Sequence, residues 1–499
     1  MTAFSSRSTV SPKRVFLGWE QLPLPSAAAR LLDLFRRDHT LDLGNVMVLV
    51  PGQRAGRRLV ELLVDAAARE GLVLTPPEWL TEGSLPEKLY PQRRPLASPL
   101  LQRLAWTAAI RELSAEDLAV LFPHPIGESE YLRWFRLGEL IEKVDTELAA
   151  EGLDVQSVLE AGREMPGFAD RARWEVLHKA KTGYLLKLDA LGYADRHTAR
   201  LAALAKREIS TTREIILLGT VDLNAIVRRM LSEVAERVTA FIVAPEAEAD
   251  RFDPFGQLRI ESWQSEPLPI RDDQIRFVGG PAEQAGAAAA WLGDLNAEFP
   301  VEDVAIGVPD PTLVPAIRRR LAQDGYRVRW LEERTLADTA PFRLLASAAD
   351  YLRDRGYAAF AALVRHPDLE AWLRAQGTPL DPARLDEHQA QFFPARIDAT
   401  RLPSSAAKGI QDSVAAVERW LNAATGTRPL SQWASTFAAL LKPIYAVRGE
   451  LDLDRDPDRV LHAALLKILD GLEKLRDIPT ALDLPLSAAE AFAVAFDAA

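Results

Sequence analysis

The sequence predicts an α/β protein with two parallel-sheet lobes, each with a helical insertion. Three observations carry that expectation. Short, nearly continuous apolar runs ending at proline or glycine alternate with amphipathic helical stretches, as in a parallel sheet covered on both faces. From Leu96 to Leu204 the alternation stops and long helical periods take over. After Gln274 the strand–helix order starts again, without a sequence repeat that aligns to the first half.

RVFLGW (Arg14–Trp19) is a first strand, QLPLPS breaks it, and AAARLLDLFRR follows at helical spacing. NVMVLVP (Asn45–Pro51) is the stronger strand, a Val/Leu/Met run ended by proline. In the helix after it, Leu59, Leu62, Leu63 and Ala66 share one face, Arg57, Arg58 and Glu61 lie elsewhere, and Gly71 supplies the stop. These elements make up the first part of one lobe, residues 12–95. A helical insertion over 96–204 follows, and the lobe resumes over 205–255 with EIILLG (Glu214–Gly219) and VTAFIVAP (Val238–Pro245) around the helix LNAIVRRMLSEVAE.

Phe252–Asp273, with proline, glycine and mixed charge, reads as a linker. The second lobe, 274–350, holds strands at QIRFVGG (Gln274–Gly280), VEDVAIGVP (Val301–Pro309) and YRVRWL, with helices between them. Residues 351–499 form a helical subdomain. The sequence stops inside the helical pattern AFAVAFDAA, so a longer protein is expected.

With 499 residues, about two to four packed units are expected. Apolar residues are 48% and charged residues 26%, an ordinary globular balance. No run approaches the ~18 uncharged apolar residues of a membrane span. The first residues, MTAFSSRSTVSPKR, lack the apolar core of a secretory leader, so a cytoplasmic address is expected. The absence of cysteine removes disulfides, thiolate metal sites and cysteine nucleophiles. The seven histidines show neither HxH nor HExxH spacing, so no metal site is expected. A net charge of −11 argues against general nucleic-acid affinity and leaves room for a local basic groove. Of 60 basic residues 11 are lysine. The arginine fork suits phosphate, although a GC-rich genome produces the same bias.

Several segments together resemble the AddB family, bacterial helicase–nuclease subunits related to superfamily I helicases. VMVLVPGQRAGRRLVELL is similar to that family's turn into an amphipathic helix, and ILLGTVDLNAIVRRMLSEVAE to its strand, turn and helix. EQAGAAAAWLGDL, DVAIGVPDPTLVPAIRRRLAQDGYRVRW and RTLADTAPFRLLASAADYL resemble its second lobe, and LVRHPDLEAWL (Leu363–Leu373) the arm that follows. The resemblance covers most of residues 12–373 and rests on the order of these segments. It implies two RecA-like (P-loop NTPase-like) lobes, a role in DNA repair and recombination, and a PD-(D/E)XK nuclease domain beyond Ala499. It implies DNA as a partner, as single strands or duplex ends, together with a helicase–nuclease partner subunit.

The motor chemistry is missing. A phosphate cradle needs G-x-x-x-x-G-K-[ST] after a strand, and the matching place reads LGWEQLPLPSAA (Leu17–Ala28). Gly18 is its one glycine, Pro23 and Pro25 lack the N–H groups a phosphate uses, and no lysine lies between Lys13 and Lys88. An acidic pair at a later strand end is required too. Asp222 after EIILLG is a single carboxylate, placed to cap the next helix. Neither ATP hydrolysis nor DNA cleavage is expected of this chain, and no catalytic residue, cofactor or metal is assigned. FDPFG (Phe252–Gly256) reads as a turn with packed aromatics, and DLDRDPDR (Asp452–Arg459) as a helix start.

Contact with DNA is the function left. Gln53, Arg54, Arg57 and Arg58 lie at a strand end and helix start, where ligands of doubly wound sheets sit. In the helicase relatives the matching turn touches single-stranded DNA. The Gln53–Arg58 turn would form one wall of a positive stripe between the lobes. The alternative is a solvated face with Arg–Glu pairs. Arg318, Arg319 and Arg320 point around a helix and read as surface. Trp134, Phe135, Trp174 and Trp330 are candidates for base stacking or, at their spacing, for the core. Two other classes stay open: a two-lobed enzyme binding a nucleotide or nucleotide-sugar, and a protein-interaction scaffold without DNA contact.

Overall fold

The computed structural model describes residues 11–264, 267, 269–295, 299–300, 304–330, 335–397, 407–446 and 451–496. The first ten residues, part of the segment read as lacking a leader, lie outside these. So do 301–303 and 331 of the expected strands and the last three residues of the final helical pattern. The chain forms two compact units. Met1–Ile260 and Leu336–Ala499 make unit 1, and Glu261–Thr335 makes unit 2.

The strands of the described residues are β1 (Lys13–Phe16), β2 (Arg36–Arg37), β3 (Thr40–Asp42), β4 (Val46–Leu49), β5 (Val73–Thr75), β6 (Glu78–Leu80), β7 (Glu214–Leu218), β8 (Val238–Ile242), β9 (Thr427–Pro429) and β10 (Pro485–Ser487). Five of them form a parallel sheet in the order β1-β8-β7-β4-β6, with Val48 opposite Ile216 and Leu217 opposite Ala240. The fold is α/β. Every residue of β4 is buried, which explains why its run reads as continuously apolar rather than alternating. β6 is an edge strand that follows Pro76 and Pro77; proline before an edge strand removes no ladder bond.

Helices α1 (Pro23–Phe35) and α2 (Gln53–Glu70) cover one face of the sheet. Leu31 of α1 and Leu59, Leu63 and Ala67 of α2 pack with Val46, Val48, Ile216 and Phe241. Gly56 lets α2 approach the sheet edge: a β-carbon there would stand 2.5 Å from the Trp79 indole. Gly71 ends α2 at φ +66°, its amide bonded to the Ala67 and Ala68 carbonyls.

Six helices then follow without an intervening strand: α3 (Pro99–Arg111), α4 (Ala115–Leu121), α5 (Tyr131–Ala150), α6 (Val155–Glu164), α7 (Arg171–Ala190) and α8 (Arg196–Ala205). α3 and α5 cross at Gly138, whose added β-carbon would meet the Thr107 hydroxyl at 2.6 Å and the Thr107 amide nitrogen at 3.1 Å. The two ends of this block are tied together, Ala97 N–H to the Ala194 carbonyl at 3.0 Å and Ala194 N–H to the Pro95 carbonyl at 2.9 Å. The helices after Leu336 share its core: Tyr351, Phe360, Trp433 and Phe437 belong to one apolar cluster with Trp106, Phe135 and Tyr184.

A charged network is sealed inside the block. The Lys181 ammonium donates to Asp145 at 2.7 Å and to Asp195 at 3.2 Å, with all three side chains under a tenth exposed. Asp195 also accepts from the Tyr184 hydroxyl at 2.7 Å and from the Thr198 amide and hydroxyl at 2.8 and 2.6 Å, capping α8. Burial works against the Asp195 charge, but Lys181, Thr198 and Tyr184 outweigh it and hold its pKa down at about 2.

His197, in the first turn of α8 and 3.4 Å from the Thr146 hydroxyl, has its pKa lowered from 6.5 to about 4. Burial is the main cause, with Arg200, Lys181 and Arg196 adding to it and Asp195 opposing. Between those two values the unfolded chain binds a proton that the native state refuses. Stability therefore falls as pH drops through that window, by at most about 1.4 kcal/mol per pH unit. Urea unfolding at pH 7 and pH 5 is expected to show this loss, and His197→Gln to reduce it; an equal pH response in both proteins contradicts the assignment.

After β7, the helix α9 (Ala225–Glu233) buries Ile226, Val227, Met230 and Leu231 and packs against α5 and α8. A short helix α10 (Ile260–Gln264) follows. Unit 2 contains α11 (Pro281–Asp294) and α12 (Val314–Gln323), joined through Ala285, Ala289, Ile317 and Leu321. Among its described residues no strand forms. Phe277, in the middle of QIRFVGG, is 95% exposed, so that run lacks the cover a buried strand requires. Among the described residues of the chain, no helix is long and apolar enough to cross a membrane.

Candidate functional site

The order β1-β8-β7-β4-β6 fixes where the sheet opens. From β4 the chain winds through α2 to β6 on one side, and from β7 through α9 to β8 on the other. The winding reverses between β4 and β7, and in open α/β sheets the carboxyl ends at such a reversal are the usual ligand position. Val50, Pro51 and Gly52 follow β4 at these ends, and Gly219 and Thr220 follow β7.

At β4 the Val50 amide is anchored to the Leu80 carbonyl at 2.9 Å, and α2 starts after Gly52 with no side-chain cap. The first helical bond there runs from the Gly56 amide to the Gly52 carbonyl, so the amides ahead of it face outward. Their partial positive charge adds to the arginines of the first turn. Gln53, Arg54, Arg57 and Arg58 are all exposed at this end of the helix. Arg58 pairs with Glu61 at 2.8 Å, the Arg–Glu pairing the solvated-face reading anticipates. Among the described residues Arg57 and the Gln53 side chain have no partner.

On the β7 side Gly219 turns the chain at φ +61°, and among the described residues the buried Thr220 hydroxyl has no hydrogen-bond partner. Asp222 was expected to cap the next helix, and this is corrected: Asn224 caps α9, its side chain accepting from the Val227 amide at 3.0 Å, while Asp222 is exposed two residues earlier. The Asn224 amide in turn donates to Glu82 beyond β6 at 2.7 Å, tying the turn after β7 to the segment after β6.

The loop after β1 sits elsewhere. β1 is the opposite edge strand, separated from β7 by β8. Three of its amides are engaged: Leu17 donates to the Ile242 carbonyl at 2.8 Å, Gly18 to the Ala244 carbonyl at 3.0 Å, and Trp19 to the Glu20 carboxylate at 3.2 Å. The Trp19 indole donates to the Val243 carbonyl at 2.9 Å. Pro23 and Pro25 open α1, so its first turn lacks two of the N–H groups a phosphate would use.

Other candidates separate clearly. Trp134 and Phe135 are buried, Trp134 donating to the Gly127 carbonyl at 3.0 Å, and Trp174 packs against the same core. Trp330 is 39% exposed. In FDPFG, Phe252 and Phe255 are buried and Asp253 accepts from the Phe255 and Gln257 amides at 2.8 and 2.9 Å, a closed turn. DLDRDPDR leads into the helix Asp456–Arg476. Among the described residues no group of three or more His, Asp or Glu is arranged to hold a metal ion.

Arg318, Arg319 and Arg320 do not share one environment. Arg320 pairs with Asp324 at 2.9 Å, whereas Arg318 and Arg319 line a groove with Arg327. Sequence reasoning also missed the Lys181 network. Its signal was present: Lys181 lies beside Ala180 and shares the buried face of α7 with Leu177, Tyr184 and Leu188. The sequence matches no protein-family model, and no curated protein matches it.

Proposed function

We propose that this chain is a helicase-like module without a motor, a DNA-binding scaffold of a repair or recombination protein. In this reading unit 2 stands for a second RecA-like lobe, and the protein works in the cytoplasm. A nuclease would come from a further domain or a partner subunit. The observation that carries the reading is the winding reversal between β4 and β7 with the basic, uncapped start of α2 on its rim. Support also comes from the loop after β1, where Pro23 and Pro25 open α1 without the N–H groups a phosphate cradle would use.

Binding at α2 would be led by phosphate and largely independent of sequence, with affinity falling as salt rises. Replacing Arg54, Arg57 and Arg58 together with alanine is expected to weaken binding of a labelled single strand. The slope of log K against log salt should become shallower by about 0.7 for each phosphate that the variant no longer neutralises. Alanine keeps the helix, being its best former. Unchanged affinity and slope would make the turn a solvated face and leave a protein-interaction scaffold as the better description.

A further inference from the structure

We infer that unit 2 carries its own binding groove for a nucleic-acid phosphodiester strand, built by Arg318, Arg319 and Arg327 beside Tyr326. The reading shares its ligand class with the proposed function and uses none of the same residues.

The groove follows from how α12 is made and how it ends. Val314, Ile317 and Leu321 are its buried side. Pro315, Arg318, Arg319 and Ala322 recur at three- and four-residue spacing and so form the outward face. At the carboxyl end, Gly325 takes φ +86° and the Tyr326 amide reaches back to the Leu321 carbonyl at 2.9 Å. That reversal lays Tyr326, Arg327 and Val328 alongside the outward face. An open cavity of about 600 Å³ results.

Its chemistry is one-sided. Among the described residues three arginines line it and no carboxylate does, in a chain whose net charge is −11. Arg320, on the same helix but outside the groove, pairs with Asp324. Among the described residues neither Arg319 nor Arg327 has an ion-pair partner. Planar guanidinium forks take phosphate oxygens in pairs, and several forks along one groove suit a chain of phosphates better than a single small anion. Tyr326 is packed against the Ala285, Ala289, Ile317 and Leu321 core, so its ring is held in place at the wall of the groove. An aromatic ring beside a phosphate track is the arrangement on which an unpaired base stacks, which favours a single strand over a duplex.

The test uses the full chain and fluorescence anisotropy of labelled oligothymidylate, with oligouridylate as a second probe. Replacing Arg318, Arg319 and Arg327 with glutamine is expected to weaken oligothymidylate binding about tenfold at low salt and to flatten its salt dependence. Tyr326→Ala should weaken it with the salt slope unchanged, because stacking releases no counterions. Equal weakening with oligouridylate supports the shared phosphodiester chemistry, and weakening confined to oligothymidylate identifies DNA. Unchanged binding in the glutamine variant overturns the groove and leaves the α2 site standing. Weakening in this variant but not in the α2 triple variant has the reverse meaning. A wild-type chain that binds neither probe overturns both. A thermal midpoint equal to wild type certifies the glutamine variant as folded, and Arg319→Glu with Arg327→Glu, both exposed, repeats the test should it be lowered.

Discussion

Replacing Lys181 with methionine is expected to lower stability by about 3–5 kcal/mol, because it leaves two buried carboxylates without their cation. Lys181 is the cation that Asp145 depends on, and burial already raises the Asp145 pKa above the ordinary carboxylate value. It is the group that must take up a proton or open to water. Asp195 keeps the Thr198 and Tyr184 donors and is less affected by the change. A double variant, Lys181→Met with Asp145→Leu, should therefore recover part of the stability that Lys181→Met removes. The readout is the urea midpoint followed by tryptophan fluorescence, since Trp106 stacks on Tyr184 at 4.3 Å beside the ammonium. A midpoint unmoved by Lys181→Met would show that the network contributes nothing.

Gly138→Val is expected to cost about 2–3 kcal/mol by overpacking the α3–α5 crossing. The obstruction includes backbone, the Thr107 amide nitrogen at 3.1 Å and the Arg103 carbonyl at 3.3 Å, so rotation of a side chain alone does not relieve it. Gly183 in α7 is the internal control. An added β-carbon there would meet Ala109 at an ordinary 3.5 Å, and Gly183→Ala should be neutral or stabilising by up to about 1 kcal/mol through helix propensity. Similar losses of stability at both positions would rule out the close crossing as the cause.

The strands that the sequence announces are those buried on both faces. NVMVLVP, EIILLG and VTAFIVAP become β4, β7 and β8, the three inner strands of the sheet. β6 escaped notice because EWL is short and follows two prolines, a pattern only an edge tolerates. QIRFVGG has the same composition as a strand, yet Phe277 stays exposed, because an apolar run becomes a strand only when other strands and a covering layer meet it. At the site, Gln53–Arg58 was legible from the strand-to-helix junction alone. Asn224 was not: Asp222 and Asn224 are equally good caps, and the Glu82 contact that sets the turn comes from 142 residues away. The unit 2 groove depends on a reversal at Gly325, a tertiary event that helical periodicity does not register.

The hydrogen-bonded neck of the helical block, where Pro95 and Ala97 meet Ala194, bears on the order in which the chain acquires its shape. β6 ends at Leu80 and β7 begins at Glu214, so the central parallel pairing of β4 with β7 is a distant one along the chain. Helices form and pair quickly from local encounters, whereas remote strand pairing is slow. Once the block closes its neck, only the flanks 81–94 and 195–213 remain to be looped out, about a quarter of the original span. Two fewer doublings of loop length lower the closure entropy by about 1.2 kcal/mol. The block thus acts as a tether that brings the two halves of the sheet within reach, and amide protection in α3, α5 and α7 should precede protection in β7.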